Sequence, residues 1–176
     1  MNPPAADRRT LLRRIRLVLA IFAVFLVASG LTAMPVEWEL NVLASMLGLP
    51  PQADPQNYSG LAQWIAKVRQ GVVETGARYP FIAYGFDWLA FAHIVLGILF
   101  LGVLKDPVRN LWVITFGMIA CVLVIPWALL VGPFRGIPTY WSLIDCSFGV
   151  CGILPLALAR RYTMRLAAMG RDTASA

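Results

Sequence analysis

FIAYGFDWLAFAHIVLGILFLGVL, residues Phe81 to Leu104, decides the fold. As a helix this run extends about 36 Å, enough for the ~30 Å hydrocarbon core of a bilayer, and its only ionisable side chains are Asp87 and His93. Runs of the same kind recur outward in both directions. The reading is an all-α integral membrane protein with four transmembrane helices at about 17–34, 81–104, 110–132 and 140–159. Composition agrees, since 59% of the 176 residues are hydrophobic and 14% charged, against about 25% charged in an ordinary soluble domain. A soluble globular protein is excluded, and four spans leave little length for a separate catalytic domain.

Charge orients the spans. Five arginines, Arg8, Arg9, Arg13, Arg14 and Arg16, precede the first run. Lys105 and Arg109 lie between the second and third, and Arg160, Arg161, Arg165 and Arg171 follow the fourth. Those eleven fall on one side, against Lys67, Arg69, Arg78 and Arg135 on the other, so both termini are expected in the cytoplasm of a cell with an inner membrane. The net charge of +6 is explained by this bias, and no nucleic-acid partner is expected. Residues 1–16 form a basic cytoplasmic segment, 17–160 a single membrane domain, and 161–176 a basic tail. Asp7-Arg8-Arg9-Thr10-Leu11-Leu12-Arg13 also has the pattern of a twin-arginine export signal, with Ala33 behind it. The length of the apolar stretch and the poor small-residue site before Ala33 favour an uncleaved first span.

Between the first two spans, residues 35–80 are too few to fold alone. From Ser59, which reads as an N-cap, Leu61, Trp64, Ile65, Val68 and Val72 recur at helical spacing. This predicts an amphipathic helix at about 59–76 on the outer membrane surface. Glu37 to Leu47 reads as a second, shorter interfacial helix anchored by Trp38.

An ionisable residue inside a span costs about 2.5–3.5 kcal/mol on insertion scales, which makes Asp87, His93 and Asp145 the candidate site. Asp87 and Asp145 are expected at similar depth near the outer face, with His93 deeper. Tyr84, Trp88, Tyr140, Ser142 and Arg135 are the neighbours able to satisfy them or to line a polar or ligand-binding core. His93 is expected to bond a backbone carbonyl or Thr115. It is the only histidine, so a bis-histidine haem site within the chain is excluded, and no Cys/His cluster has metal spacing. No metal and no cofactor are expected. Cys121, Cys146 and Cys151 lie in apolar runs and read as small core residues.

Small residues predict how the helices pack, because close approach in lipid favours Gly, Ala, Ser and Cys. Ala83, Ala90 and Gly97 mark a seam on the second span. Gly117, Cys121, Ala128 and Gly132 mark one on the third, and Ser142, Asp145, Gly149 and Gly152 one on the fourth. The first span, lacking such a pattern, is expected at the periphery.

The leading expectation for function is a non-enzymatic accessory or subunit-type membrane protein whose partners are lipid and another membrane protein. The alternative is a binding or transport module for a lipid or lipophilic small molecule built on Asp87 and Asp145. A further alternative is a membrane enzyme acting on an apolar substrate, with His93 and one aspartate as acid and base. In size and in having four spans with intramembrane acids, the chain resembles the emopamil-binding and sigma-2-receptor type of sterol-binding proteins, an architectural resemblance that transfers no residue role.

Overall fold

A computed structural model describes residues 5–172, and every element among them is helical. The helices are α1 (Ala5–Leu31), α2 (Val36–Met46), α3 (Gly60–Arg78), α4 (Tyr84–Lys105), α5 (Leu111–Phe134) and α6 (Thr139–Asp172), with 3₁₀ turns at Pro55–Asn57 and Pro80–Ala83. Pro80–Lys105, Leu111–Phe134 and Thr139–Gly170 are long and apolar enough to cross a membrane. A fourth crossing exists if α1 and α2, bent by 92° at their junction, count as one broken span.

The boundaries differ from the expected ones for physical reasons. The helix expected from 17 starts at Ala5, because Ile15 and Leu19 extend its buried face back toward the arginines, themselves good helix formers. The helix expected to stop at 159 continues to Asp172, because Leu156, Ala159, Thr163 and Leu166 keep one face buried through the basic stretch. At the start of α4 the first turn is 3₁₀, opened by Pro80, so the α-helix begins at Tyr84 rather than Phe81.

Two compact units result, one made of the residues up to Phe25 and from Gly97 on, the other of Leu26–Leu96. In the first, α5 and α6 form an antiparallel hairpin. Its turn is a Schellman motif: Ile137 N–H donates to the Gly132 carbonyl at 3.0 Å and Gly136 N–H to that of Pro133 at 3.1 Å. Gly136 takes φ +68°, a conformation that any Cβ would strain. Along the hairpin the small residues meet in reverse order. Gly132 lies against Ser142, Gly149 and Gly152 against Cys121, and Gly117 against Leu156 and Phe100. At Gly149 a Cβ would overlap the Cys121 carbonyl oxygen, so backbone meets backbone there.

α1 is not peripheral in this unit, contrary to the expectation. Ile15 and Leu19 are fully buried, and the Phe22 ring sits 5.1 Å from that of Phe100. Arg16 donates from Nε to the Leu104 carbonyl at 2.8 Å and from Nη2 to that of Lys105 at 3.2 Å. Phe22 also lies near Gly152 of α6, where a Cβ would meet its ring at an ordinary contact distance of 3.6 Å.

The second unit centres on α2 and α3. α2 ends in another Schellman motif, with Leu49 N–H donating to the Ala44 carbonyl at 2.9 Å and Gly48 at φ +70°. Leu40, Ala44, Leu49 and Ala53 are buried here, as are Ile65, Ala66 and Arg69 of α3. Arg69 Nη2 donates to the Pro50 carbonyl at 2.6 Å, which places a cation inside the fold on a backbone acceptor. The expected cap is corrected: Ser59 holds the N-cap position of α3, but its side chain makes no capping bond.

Candidate functional site

The candidate residues divide between the units, with Tyr84, Asp87, Trp88 and His93 in Leu26–Leu96 and Arg135, Tyr140, Ser142 and Asp145 in the other. Because α4 starts at Tyr84, Asp87 belongs to its first turn. An acid is ordinary there, since the helix macrodipole favours negative charge at an N-terminus. Asp87 is exposed, and among the described residues no donor reaches its carboxylate. Tyr84 and Trp88 pack edge-to-face at 5.9 Å, and Trp88 and Phe91 at 5.6 Å, forming an exposed aromatic ladder on one side of α4.

His93 packs where α1 ends. A Cβ on Gly30 would overlap the His93 Cβ and Cγ, so only glycine lets the two helices approach this closely. One ring nitrogen, Nδ1, lies 2.8 Å from the Leu89 carbonyl, the backbone partner expected for it. Thr115, the other candidate partner, instead donates to the Leu111 carbonyl at 3.2 Å.

In the first unit Ser142 is buried against Gly132 in the helix seam, while Arg135 is exposed at the C-cap of α5. Tyr140 is exposed at the start of α6, and Asp145 is half-buried one turn beyond Ser142. No donor among the described residues reaches the Asp145 carboxylate. Cys146 is buried and Cys121 half-buried, as core residues should be, but Cys151 is exposed. Among the described residues no three His, Cys, Asp or Glu side chains come together in a group able to hold a metal ion.

Two features escaped the sequence reading. One is an open groove of about 760 Å³ in the second unit, walled by Trp38, Val68, Ile82 and Phe86 and floored by Gly71 and Thr75 of α3. A Cβ built at Gly71 or at neighbouring Gly76 meets nothing within 4 Å. The signal was present in Gly71, Thr75 and Gly76, small residues beside the apolar stripe of an amphipathic helix. The other is a basic hollow in the first unit, lined by arginines from α1 and by the α4–α5 connection. It was illegible because its cations are far apart in sequence. No family model matches the chain, and no curated protein or solved structure shows a significant similarity to it.

Proposed function

We propose that the chain is a small, non-enzymatic multi-pass protein of the inner membrane that serves as an accessory subunit of another membrane protein. The observation that carries this reading is the open, mostly apolar groove of the second unit, whose polar lining is Glu37, Asn41 and Thr75. Its floor of Gly71, Thr75 and Gly76 admits the close backbone approach on which helix pairing in lipid depends, and its Trp38 wall is largely exposed. The reading assigns this groove to an apolar helix of the partner. In this arrangement α1, α4, α5 and α6 cross the bilayer and both termini lie in the cytoplasm, which the eleven-to-four distribution of basic residues supports. The reading takes the 92° bend after α1 as the point where the chain leaves the bilayer, with α2 along the outer surface and α3, polar on its Gln63, Lys67 and Glu74 side, there as well.

The test is photocrosslinking in intact membranes from Trp38 replaced by benzoylphenylalanine. The expected result is a protein adduct of reproducible mass that disappears when Gly71→Trp fills the groove. Adducts with lipid alone, or a protein adduct indifferent to Gly71→Trp, would refute the reading.

A second reading, a lipophilic ligand held at an intramembrane carboxylate, is favoured by Asp87 and Asp145, which sit in long apolar helices with no donor among the described residues. It requires that Asp87→Asn or Asp145→Asn stay folded yet lose a co-purifying lipophile seen by native mass spectrometry. Retention of that lipophile by both variants excludes it.

A further inference from the structure

Within the first unit, the start of α1, the end of α4 and the far end of α6 enclose a hollow of about 770 Å³. Arg8 and Arg9 enter it from α1, Lys105 from the last residue of α4, and Arg109 from the connection to α5. All four are exposed, and none of their side chains has a hydrogen-bond or ion-pair partner among the described residues. The one carboxylate in the lining, Asp106, is engaged locally, accepting the Arg109 backbone N–H at Oδ1 over 3.0 Å. Arg16 is also committed elsewhere, to the last carbonyls of α4, and so holds α1 beside that helix end without filling the hollow. Asn110 fixes the same corner by donating from Nδ2 to the Gly102 carbonyl at 3.0 Å and to that of Asp106 at 2.8 Å.

The result is a cluster of four cations with Asp106 as the one carboxylate in the lining, so a net positive charge remains. That excess favours an anion, and the donor set selects its chemistry. Three guanidinium forks and one ammonium match the several oxygens of a phosphate better than a single carboxylate. The remaining lining is apolar and includes Leu12 and Val108, so a ligand carrying both phosphate and hydrocarbon is matched along its length.

We propose that this hollow binds the phosphate of an anionic phospholipid headgroup, with the acyl chains running along the adjacent apolar helices. The proposal rests on the membrane-spanning arrangement above, in which this corner lies at the level of the headgroups, where basic pockets between helices bind anionic lipid.

The full chain, purified in mild detergent, is titrated with dioleoylphosphatidylglycerol, with dioleoylphosphatidylcholine, and with inorganic pyrophosphate as a soluble source of the same chemistry, and adducts are read by native mass spectrometry. Phosphatidylglycerol is expected to bind, and the combined Arg8→Gln, Arg9→Gln, Lys105→Gln, Arg109→Gln variant should bind it at least about tenfold more weakly. A control that removes the same charge elsewhere, Arg13→Gln, Arg14→Gln, Arg161→Gln, Arg165→Gln, should stay within about twofold of the wild type. Equal weakening by both sets reduces the effect to bulk charge and overturns the site. Pyrophosphate binding without preference for phosphatidylglycerol overturns the lipid assignment. Should the fourfold variant not fold, Arg9→Gln with Lys105→Gln is read against Arg13→Gln with Arg161→Gln by the same criteria. Release of the protein from membranes by alkaline carbonate defeats the spanning arrangement and this proposal together. Carbonate-resistant protein without lipid preference defeats this proposal alone.

Discussion

Replacing Gly149 by alanine puts one carbon where α6 meets the α5 backbone. A Cβ there overlaps the Cys121 carbonyl oxygen and comes within 2.9 Å of Val124 Cγ1. A side chain end could rotate away, but a carbonyl in the middle of a helix cannot, so α5 and α6 must separate along the seam. Overpacking of this kind costs about 1–3 kcal/mol, and the rigidity of the obstructing atom argues for the upper half of that range. Alanine also improves helix propensity by about 1 kcal/mol over glycine, which would mask part of the cost. Gly71→Ala supplies the correction, being a mid-helix glycine whose new Cβ meets nothing within 4 Å. The difference between the two variants cancels the propensity gain and reads the clash alone.

The assay is thermal unfolding in detergent followed by a thiol-reactive dye in a Cys151→Ser background, so that half-buried Cys121 and buried Cys146 report the opening of this hairpin. At about 2–4 °C per kcal/mol for a chain of this size, Gly149→Ala should melt roughly 4–12 °C below Gly71→Ala. Melting temperatures within about 1 °C of each other would refute the seam, because no packed helix crossing absorbs a carbon against a carbonyl at that cost.

Reporter fusions after Lys105 and at the C-terminus should report cytoplasm and a fusion near Asn57 the outside; an outside C-terminus overturns the four-crossing arrangement. Arg69→Met should lower stability by about 1.5–3 kcal/mol, since it removes a charge-assisted bond of 2.6 Å to a carbonyl inside the fold, and an unchanged melting temperature would show that this cation does not hold the Pro50 turn. Thr163 is fully buried and its hydroxyl has no hydrogen-bond partner among the described residues, so Thr163→Val should raise stability by about 1 kcal/mol in the same melting assay; destabilisation would mean that the hydroxyl is satisfied.

The long helices were legible because apolar runs of this length are too long for strands, and a helix satisfies its own backbone along the whole run. The Gly117, Gly132 and Gly149 seam was legible for a related reason, since close backbone approach admits few residue types. What stayed hidden depended on placement in space. That α1 packs rather than floats rests on the burial of Ile15 and Leu19 and on the contact of the Phe22 ring with Phe100, a residue of another helix that the sequence does not bring near it. Asp87 lies inside the apolar segment Pro80–Lys105, and the 3₁₀ turn at Pro80–Ala83 also makes it a first-turn acid of the α-helix, a placement that no residue pattern in the segment announces. His93 was predicted to use a carbonyl, but Gly30, the residue that explains its position, is an unremarked glycine near the end of another helix.

The pair of bonds from Arg16 to the Leu104 and Lys105 carbonyls also bears on the order of synthesis. Every helix leaves its final carbonyls without amide partners, and α4 receives donors for two of them from a residue made 88 and 89 positions earlier. When α1 emerges from the ribosome it therefore lacks the surface it will anchor to, and its guanidinium must wait through α2, α3 and nearly all of α4. The Leu104 and Lys105 carbonyls gain these donors only when that early segment is still close at hand. A nascent chain whose α1 packs elsewhere would complete α4 with Asn110 bonded to the Gly102 carbonyl and those last two carbonyls left without a guanidinium.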